Sequence, residues 1–126
     1  MTKSVNDRFG HPAGDLVLRR AAGAVQATVR QADVVGRIGG EEFAVLLPDC
    51  GPDAARALAE RTRQAVAALP FTLPLMQGGT LVQHRQTVSV GVATLLPGMD
   101  GAAELIRCAD LRLYAAKHAG RDRVAA

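Results

Sequence analysis

Gly39-Gly40-Glu41-Glu42 is the segment of this chain whose residue types point most directly to chemistry. Two glycines remove Cβ atoms and let the backbone approach a phosphate, while adjacent carboxylates hold hard cations such as Mg²⁺. Phosphate together with a metal is nucleotide chemistry. The same four residues also make a glycine-assisted turn with solvated glutamates, and the bare motif favours that simpler reading. A second group gathers at Lys3, Asn6, Asp7, His11 and Asp15. An amide and a carboxylate near a helix start can read the edge of a base, and a lysine can meet a phosphate. Capping and compensation of the helix dipole call for the same residue types. Lys117 and Arg121 share a face if their helix persists to Gly120, where they could clamp phosphate oxygens or simply complement the dipole. Arg30 and Asp33 are either a ligand-binding pair or a surface ion pair.

These residues need elements to hold them. Pro12 suits a first helical turn, and Leu18, Ala21, Ala22, Val25 and Val29 recur at helical spacing, so a helix is predicted from about Pro12 to Arg30, entered from a loop. Val34 to Ile38 and Phe43 to Leu47, separated by the glycine pair, read as a hairpin. Ala55, Leu58, Ala59, Thr62, Val66 and Leu69 mark a second helical face that must stop before Pro70. Phe71 to Gln83 reads as a loop or short ribbon, and Gln86 to Leu95 alternates as a strand does. Ala102, Leu105, Ile106, Ala109, Leu113 and Ala116 make a third apolar stripe ending at Gly120, and Arg121 to Val124 can add a last short strand. The order implies an α+β fold, an α/β sandwich with helices packed on one mainly antiparallel central sheet.

Composition removes several alternatives. The 126 residues fit one domain, and 48% hydrophobic with 21% charged is ordinary globular usage. A net charge of +3 permits an anionic partner without demanding one, and 3% aromatics leave a single strand of nucleic acid little to stack upon. No nucleic-acid partner is expected. Cys50 and Cys108 show neither metal-ligand spacing nor disulfide density, which suits a reducing cytoplasm, and they are assigned structural or surface roles together with His84. The uncharged stretch from Gln64 to Gln83 is broken by Pro70, Pro74, Gly78 and Gly79 and cannot span a membrane. No leader is visible, so any membrane attachment is expected from another segment. Neither the phosphate-loop nor the dinucleotide glycine pattern occurs.

Taken in order, Lys3-Ser4-Val5-Asn6-Asp7-Arg8-Phe9-Gly10-His11 with Gly14-Asp15, Arg37-Ile38-Gly39-Gly40-Glu41-Glu42-Phe43, Ser89-Val90-Gly91-Val92-Ala93, Ala109-Asp110 and Tyr114 through Arg123 resemble the GGDEF family of diguanylate cyclases over nearly the whole chain. Glu41 replaces the eponymous aspartate, and Asp122 stands where Asn is usual, a change expected to be minor. The resemblance implies a nucleotidyl-cyclase-like fold and an enzyme that condenses two GTP into cyclic di-GMP with release of pyrophosphate, using Mg²⁺ or Mn²⁺. It implies that Asn6 and Asp15 bind guanine, that Gly39 and Gly40 pass close to the phosphates, and that Lys3, Lys117 and Arg121 neutralise them. Glu41 would be a metal ligand and the catalytic carboxylate, with Glu42 assisting at both tasks. A homodimer would bring the two GTP face to face. Arg30 and Asp33, in R-x-x-D register before Gly39, would form an inhibitory product site, with Arg61 as companion arginine.

The family pattern begins earlier, with a strand whose end carries a metal-bridging aspartate, whereas Met1 and Thr2 occupy that approach here. The expectation is therefore a single GGDEF domain over residues 1–126 that lacks the N-terminal helix and first central strand, from a protein with an upstream sensory or receiver domain. The alternative is an inert domain that binds cyclic di-GMP or GTP.

Overall fold

The computed structural model describes residues 2–126. The chain opens as a helix rather than a loop: α1 spans Thr2–Phe9 and α2 spans His11–Thr28. The reason lies in Val5, Phe9, Ala13 and Val17, whose spacing of four puts one apolar stripe down both helices, and all four are buried. Asn6 and Asp7, turn-forming types in isolation, are carried into the helix by this burial. Gly10, at φ 90°, makes the joint, and its amide bonds the Asn6 carbonyl at 2.8 Å. Beyond the joint the stripe continues through Ala21 and Val25, and α2 ends two residues before the predicted Arg30.

Strands β1 (Val34–Gly39) and β2 (Glu42–Leu46) form the expected antiparallel hairpin, with a bulge between Arg37 and Gly39. Helix α3 (Pro52–Ala67) buries Ala55, Leu58, Ala59 and Val66 and packs on α2, where the Thr28 and Thr62 hydroxyls meet at 2.9 Å. The segment after Pro70 resolves as a ribbon: β3 (Phe71–Pro74) pairs antiparallel with β4 (Leu81–His84). Phe71 and Leu73 point inward and complete the core begun by Val5, Phe9, Ala13 and Val17.

The stretch from Gln86 to Leu95 departs most from its prediction. Only Val90–Gly91 pairs as β5, in parallel with β6 (Val124–Ala125), which follows α4 (Ala102–His118). Alternation reports that a segment has two faces, but a ladder also needs a neighbour, and β6 offers two residues. The Val90 amide bonds the Arg123 carbonyl at 3.0 Å and the Val92 amide bonds the Ala125 carbonyl at 2.9 Å. The fold is thus α+β, with two antiparallel pairs and one parallel pair. The central sheet is present as these separate pairs rather than as one continuous sheet, and among the described residues every strand has one strand neighbour. No helix among the described residues is long and apolar enough to cross a membrane.

Candidate functional site

The tip of the β1–β2 hairpin is a two-residue turn at Gly40 and Glu41, because Gly39 pairs directly with Glu42. Such turns require a positive φ that glycine adopts freely, and Gly40 sits at φ 51°. Arg37 holds the tip: its Nε donates to the Gly40 carbonyl at 2.8 Å, and its Nη2 donates to the same oxygen. A Cβ built on Gly39 or Gly40 meets nothing within 4 Å. The glycines therefore leave open space over exposed backbone, which suits the approach of a ligand. Glu41 is half-buried and Glu42 exposed.

Lys117, in the last turn of α4, places its Nζ 3.6 Å from Glu42 Oε1. The pair is solvated and contributes little stability. Its value is positional, since it brings the acidic tip and a helix-end cation together from 75 residues apart, 117 − 42. Arg121 is not on the helical face shared with Lys117, because α4 ends at His118. It lies in a turn with Gly120 at φ 119°, Arg121 at 61° and Asp122 at 46°. Left-handed backbone at a non-glycine residue costs about 1–2 kcal/mol, so other contacts must hold this turn.

Lys3, Asn6, Asp7, Phe9, Gly10, His11, Pro12 and Met76 line a cleft of ≈ 810 Å³ at the α1–α2 joint, within the size range of small-molecule sites. Asn6 Oδ1 is buried without a hydrogen-bond partner. A buried orphan acceptor is costly unless a ligand donor completes it. Gly14 makes room for that side chain: a Cβ there would stand 1.7 Å from Asn6 Oδ1. Asp15 is exposed on α2 next to Gly14 and does not line this cleft.

The Arg30–Asp33 pair is tightly made. Arg30 Nη2 reaches Asp33 Oδ1 at 2.6 Å and the Pro48 carbonyl at 2.7 Å, Nε forks across both carboxylate oxygens at 3.0 and 3.1 Å, and the Arg30 amide bonds Asp33 Oδ2 at 2.7 Å. The Asp33 side chain is fully buried. Hydrogen bonding to Arg30 holds its carboxyl below the usual range and raises the guanidinium in turn. Arg61 projects from the exposed face of α3.

No group of three metal-ligating side chains gathers among the described residues. Glu41 and Glu42 alone supply carboxylates at the tip. Mg²⁺ ordinarily takes one or two carboxylates with the rest of its shell from phosphate and water, so this donor set fits an ion that arrives with a nucleoside triphosphate. Sequence reasoning missed Gly14 as the space around Asn6, Arg37 as the brace of the tip, and the ion pairs of Asp122. All three positions lay inside recognised motifs, which do not show what a side chain touches. Arg63, which reaches Asp122 at 2.7 Å, is 59 residues away and had no sequence signal.

An α+β domain with a glycine-tipped acidic hairpin beside a basic helix end defines the class. The model of the family described as "Diguanylate cyclase, GGDEF domain" matches residues 2–123, and the chain belongs to the GGDEF family. A diguanylate cyclase of Pseudomonas aeruginosa, DgcP, is 46% identical over 97% of this chain and 17% of its own length. The active GGEEF domain of a diguanylate cyclase from Vibrio cholerae is similar in structure, with TM-score 0.82, 35% identity, and coverage of 98% of this chain and 74% of that one. The GGDEF domain of DgcB from Caulobacter crescentus, solved in complex with c-di-GMP, gives TM-score 0.85 at 32% identity, covering 98% of this chain and 70% of that one. The chain spans from 10% to 33% of the length of the curated relatives it matches.

Proposed function

We propose that this domain is a diguanylate cyclase that condenses two GTP into cyclic di-GMP. The observation that carries the reading is the Glu42–Lys117 contact at 3.6 Å, which joins an open glycine tip, two carboxylates and an ammonium able to pair with a phosphate in one place. In this reading the 3′-oxygen of one GTP attacks the α-phosphorus of another, its proton passes to a carboxylate or water, and the bond to pyrophosphate breaks. Repetition with the roles exchanged closes the ring and releases a second pyrophosphate. A divalent cation, when bound, lowers the pKa of the attacking hydroxyl and neutralises phosphate charge. Glu41 and Glu42 would hold that ion, and Glu41 would be the carboxylate that takes the proton when water does not. Gly39 and Gly40 let the phosphates lie against backbone, and Lys3, Lys117 and Arg121 neutralise them. Asn6 Oδ1, an acceptor without a partner, suits the N–H edge of guanine, with Asp15 as a second acceptor from the adjoining helix. Another solved GGEEF domain is described as active, which supports the tolerance of Glu41 in the signature.

The same proposal includes regulation and context. Product would bind at Arg30, Asp33 and Arg61 and inhibit. Because Nε and Nη2 of Arg30 are already engaged, a phosphate or guanine would take Nη1 or displace the Pro48 carbonyl. Substrate would come from the cytoplasm, two copies would meet to react, and an upstream sensory or receiver domain would control that meeting. The division of the sheet into separate pairs leaves room for a further strand in the working domain, which would carry the third carboxylate.

A second reading has its own observation. With only two carboxylates gathered among the described residues, the chain would bind cyclic di-GMP or GTP without turnover. Mass-resolved turnover of GTP with Mg²⁺ separates the two, using this chain beside a version extended upstream through the additional strand. The enzyme reading expects cyclic di-GMP and pyrophosphate in a ratio of one to two from the extended version. Binding without product from either version overturns it and leaves a receptor.

A further inference from the structure

Arg121 sits in left-handed backbone, and the residue after it meets an ion pair from another helix. Gly120, Arg121 and Asp122 all have positive φ, of 119°, 61° and 46°. The turn is tied at one end by the Arg121 amide to the Ala116 carbonyl, 3.0 Å, and at the other by the Arg123 carbonyl, which accepts from Val90 in the β5–β6 ladder. Arg123 Nε donates to the Arg121 carbonyl at 3.0 Å. Sideways, Asp122 Oδ1 accepts from Arg63 Nη1 at 2.7 Å, and Arg85 Nη2 stands 3.8 Å from Oδ2.

Arg63 is suited to this task. Its Nε forks across Glu60 at 3.0 and 3.1 Å and its Nη2 also donates to Glu60, so the guanidinium is oriented before it meets Asp122. Its side chain is 19% exposed, against 66% for Arg85, so its pair is the less screened of the two. Hydrogen bonds to Glu60 and then Asp122 raise its pKa, and the hydrogen bond from Arg63 lowers that of Glu60.

We propose that Arg63 is a positioning residue for phosphate recognition, acting through Asp122 to fix the left-handed turn that presents Arg121. The inference rests on the reading of the domain as a GTP-binding one. It also assigns Asp122 a purpose that sequence reasoning treated as minor. An Asn at 122 tolerates left-handed backbone and keeps an acceptor for Arg63, whereas an Ala keeps neither.

The test is titration of GTP and of guanosine into the wild type, Arg63→Gln, Asp122→Ala, Asp122→Asn and Arg121→Ala, with the Arg63→Gln/Arg121→Ala double variant. GTP affinity should fall about tenfold in Arg63→Gln and Asp122→Ala, the scale of one charge-assisted contact. Guanosine affinity should hold in both, and Asp122→Asn should stay near wild type. In the Arg121→Ala background, Arg63→Gln should add nothing, because both variants remove the same contact. Should Arg63→Gln fail to fold, Asp122→Ala and its own double variant with Arg121→Ala supply the cycle. Losses that add, or equal losses for guanosine, mean that Arg63 acts on general stability and overturn the proposal. A wild type that binds GTP, with Arg63→Gln unchanged, overturns it alone. A wild type that binds no GTP overturns the underlying reading and this inference with it.

Discussion

Asn6 and Gly14 show how a single missing methyl group can define a binding position. The Asn6 oxygen lies where the Cβ of any other residue at 14 would be, 1.7 Å away, and it is buried with no partner. In Gly14→Ala the Asn6 side chain must swing out. Swinging out reaches water and recovers part of the ~1–3 kcal/mol that an orphaned buried acceptor costs, and alanine adds about 1 kcal/mol of helix propensity. Stability should therefore change little, while GTP affinity falls at least about tenfold, the cost of one lost contact. Urea unfolding beside GTP titration of the same variant checks this; equal loss of both would mean the position is only structural. Asp33 gives a pH prediction. Its folded pKa lies below the ordinary 3.8 because Arg30 bonds the carboxylate. Its contribution is thus complete above 3.8 and is lost as pH falls through the depressed value. Asp33→Asn should be less stable than wild type in urea at neutral pH, and the gap should narrow as pH falls below 3.8 toward the depressed value.

Between elements, Gly91 is the position pressed against backbone rather than against a side chain. A Cβ there would stand 2.3 Å from the Ala109 carbonyl oxygen and 2.4 Å from the Leu113 amide nitrogen, so β5 lies directly on the backbone of α4. Backbone cannot retreat as a side chain can, and Gly91→Ala should destabilise by about 3 kcal/mol. Gly36, also within a strand, meets nothing within 4 Å, and Gly36→Ala should stay within about 0.5 kcal/mol. Denaturant midpoints of the two variants make the comparison, and similar values would show that β5 and α4 are less closely packed than this. The sequence places Gly91 in a recognised motif without revealing what it touches. Local signals served well where the structure is local: the glycine-tipped hairpin and the stripes of α2 and α3 lie where turn chemistry and periodicity put them, whereas α4 forms as a helix but buries only Ala116 of its predicted stripe and leaves Ile106 56% exposed. They served poorly where pairing is distant. Gln86 to Leu95 alternates like a full strand but forms two residues of ladder, because its neighbour is supplied from Val124 and Ala125. Helix α1 was hidden for a similar reason, since the burial of Val5 and Phe9 depends on Phe71 and Leu73. Lys117 and Arg121 were recognisable as cations four apart, but the left-handed turn that separates them follows from contacts to Arg63 and β5.

At the scale of the whole molecule, the buried core lies under α1, α2, α3 and β3, while the hairpin that carries the signature leaves Val34, Ile38 and Leu46 about 60% exposed, at 58%, 62% and 58%. A two-stranded ribbon is at best marginally stable alone. The tip at Gly40 and Glu41 thus depends on Arg37 and on contacts such as Glu42 to Lys117 for its placement. That openness suits a site facing outward toward a second copy rather than one enclosed by its own chain. In the proposed reading the cleft at Asn6 and the tip together take one GTP, and the condensation needs two in opposed orientations. One copy supplies one set of these residues, so the second nucleotide must come on another copy, and the advantage gained is that of holding both reactants in place. Turnover per copy should therefore rise in proportion to protein concentration while most copies are monomeric, then level off as dimers saturate. GTP affinity, a property of one copy, should stay constant across the same range. Initial rates of cyclic di-GMP formation by the extended version, measured over a hundredfold dilution with the sedimentation of each sample, test this directly. A rate per copy that does not change while the monomer fraction does would place both GTP on one copy and overturn the two-subunit mechanism.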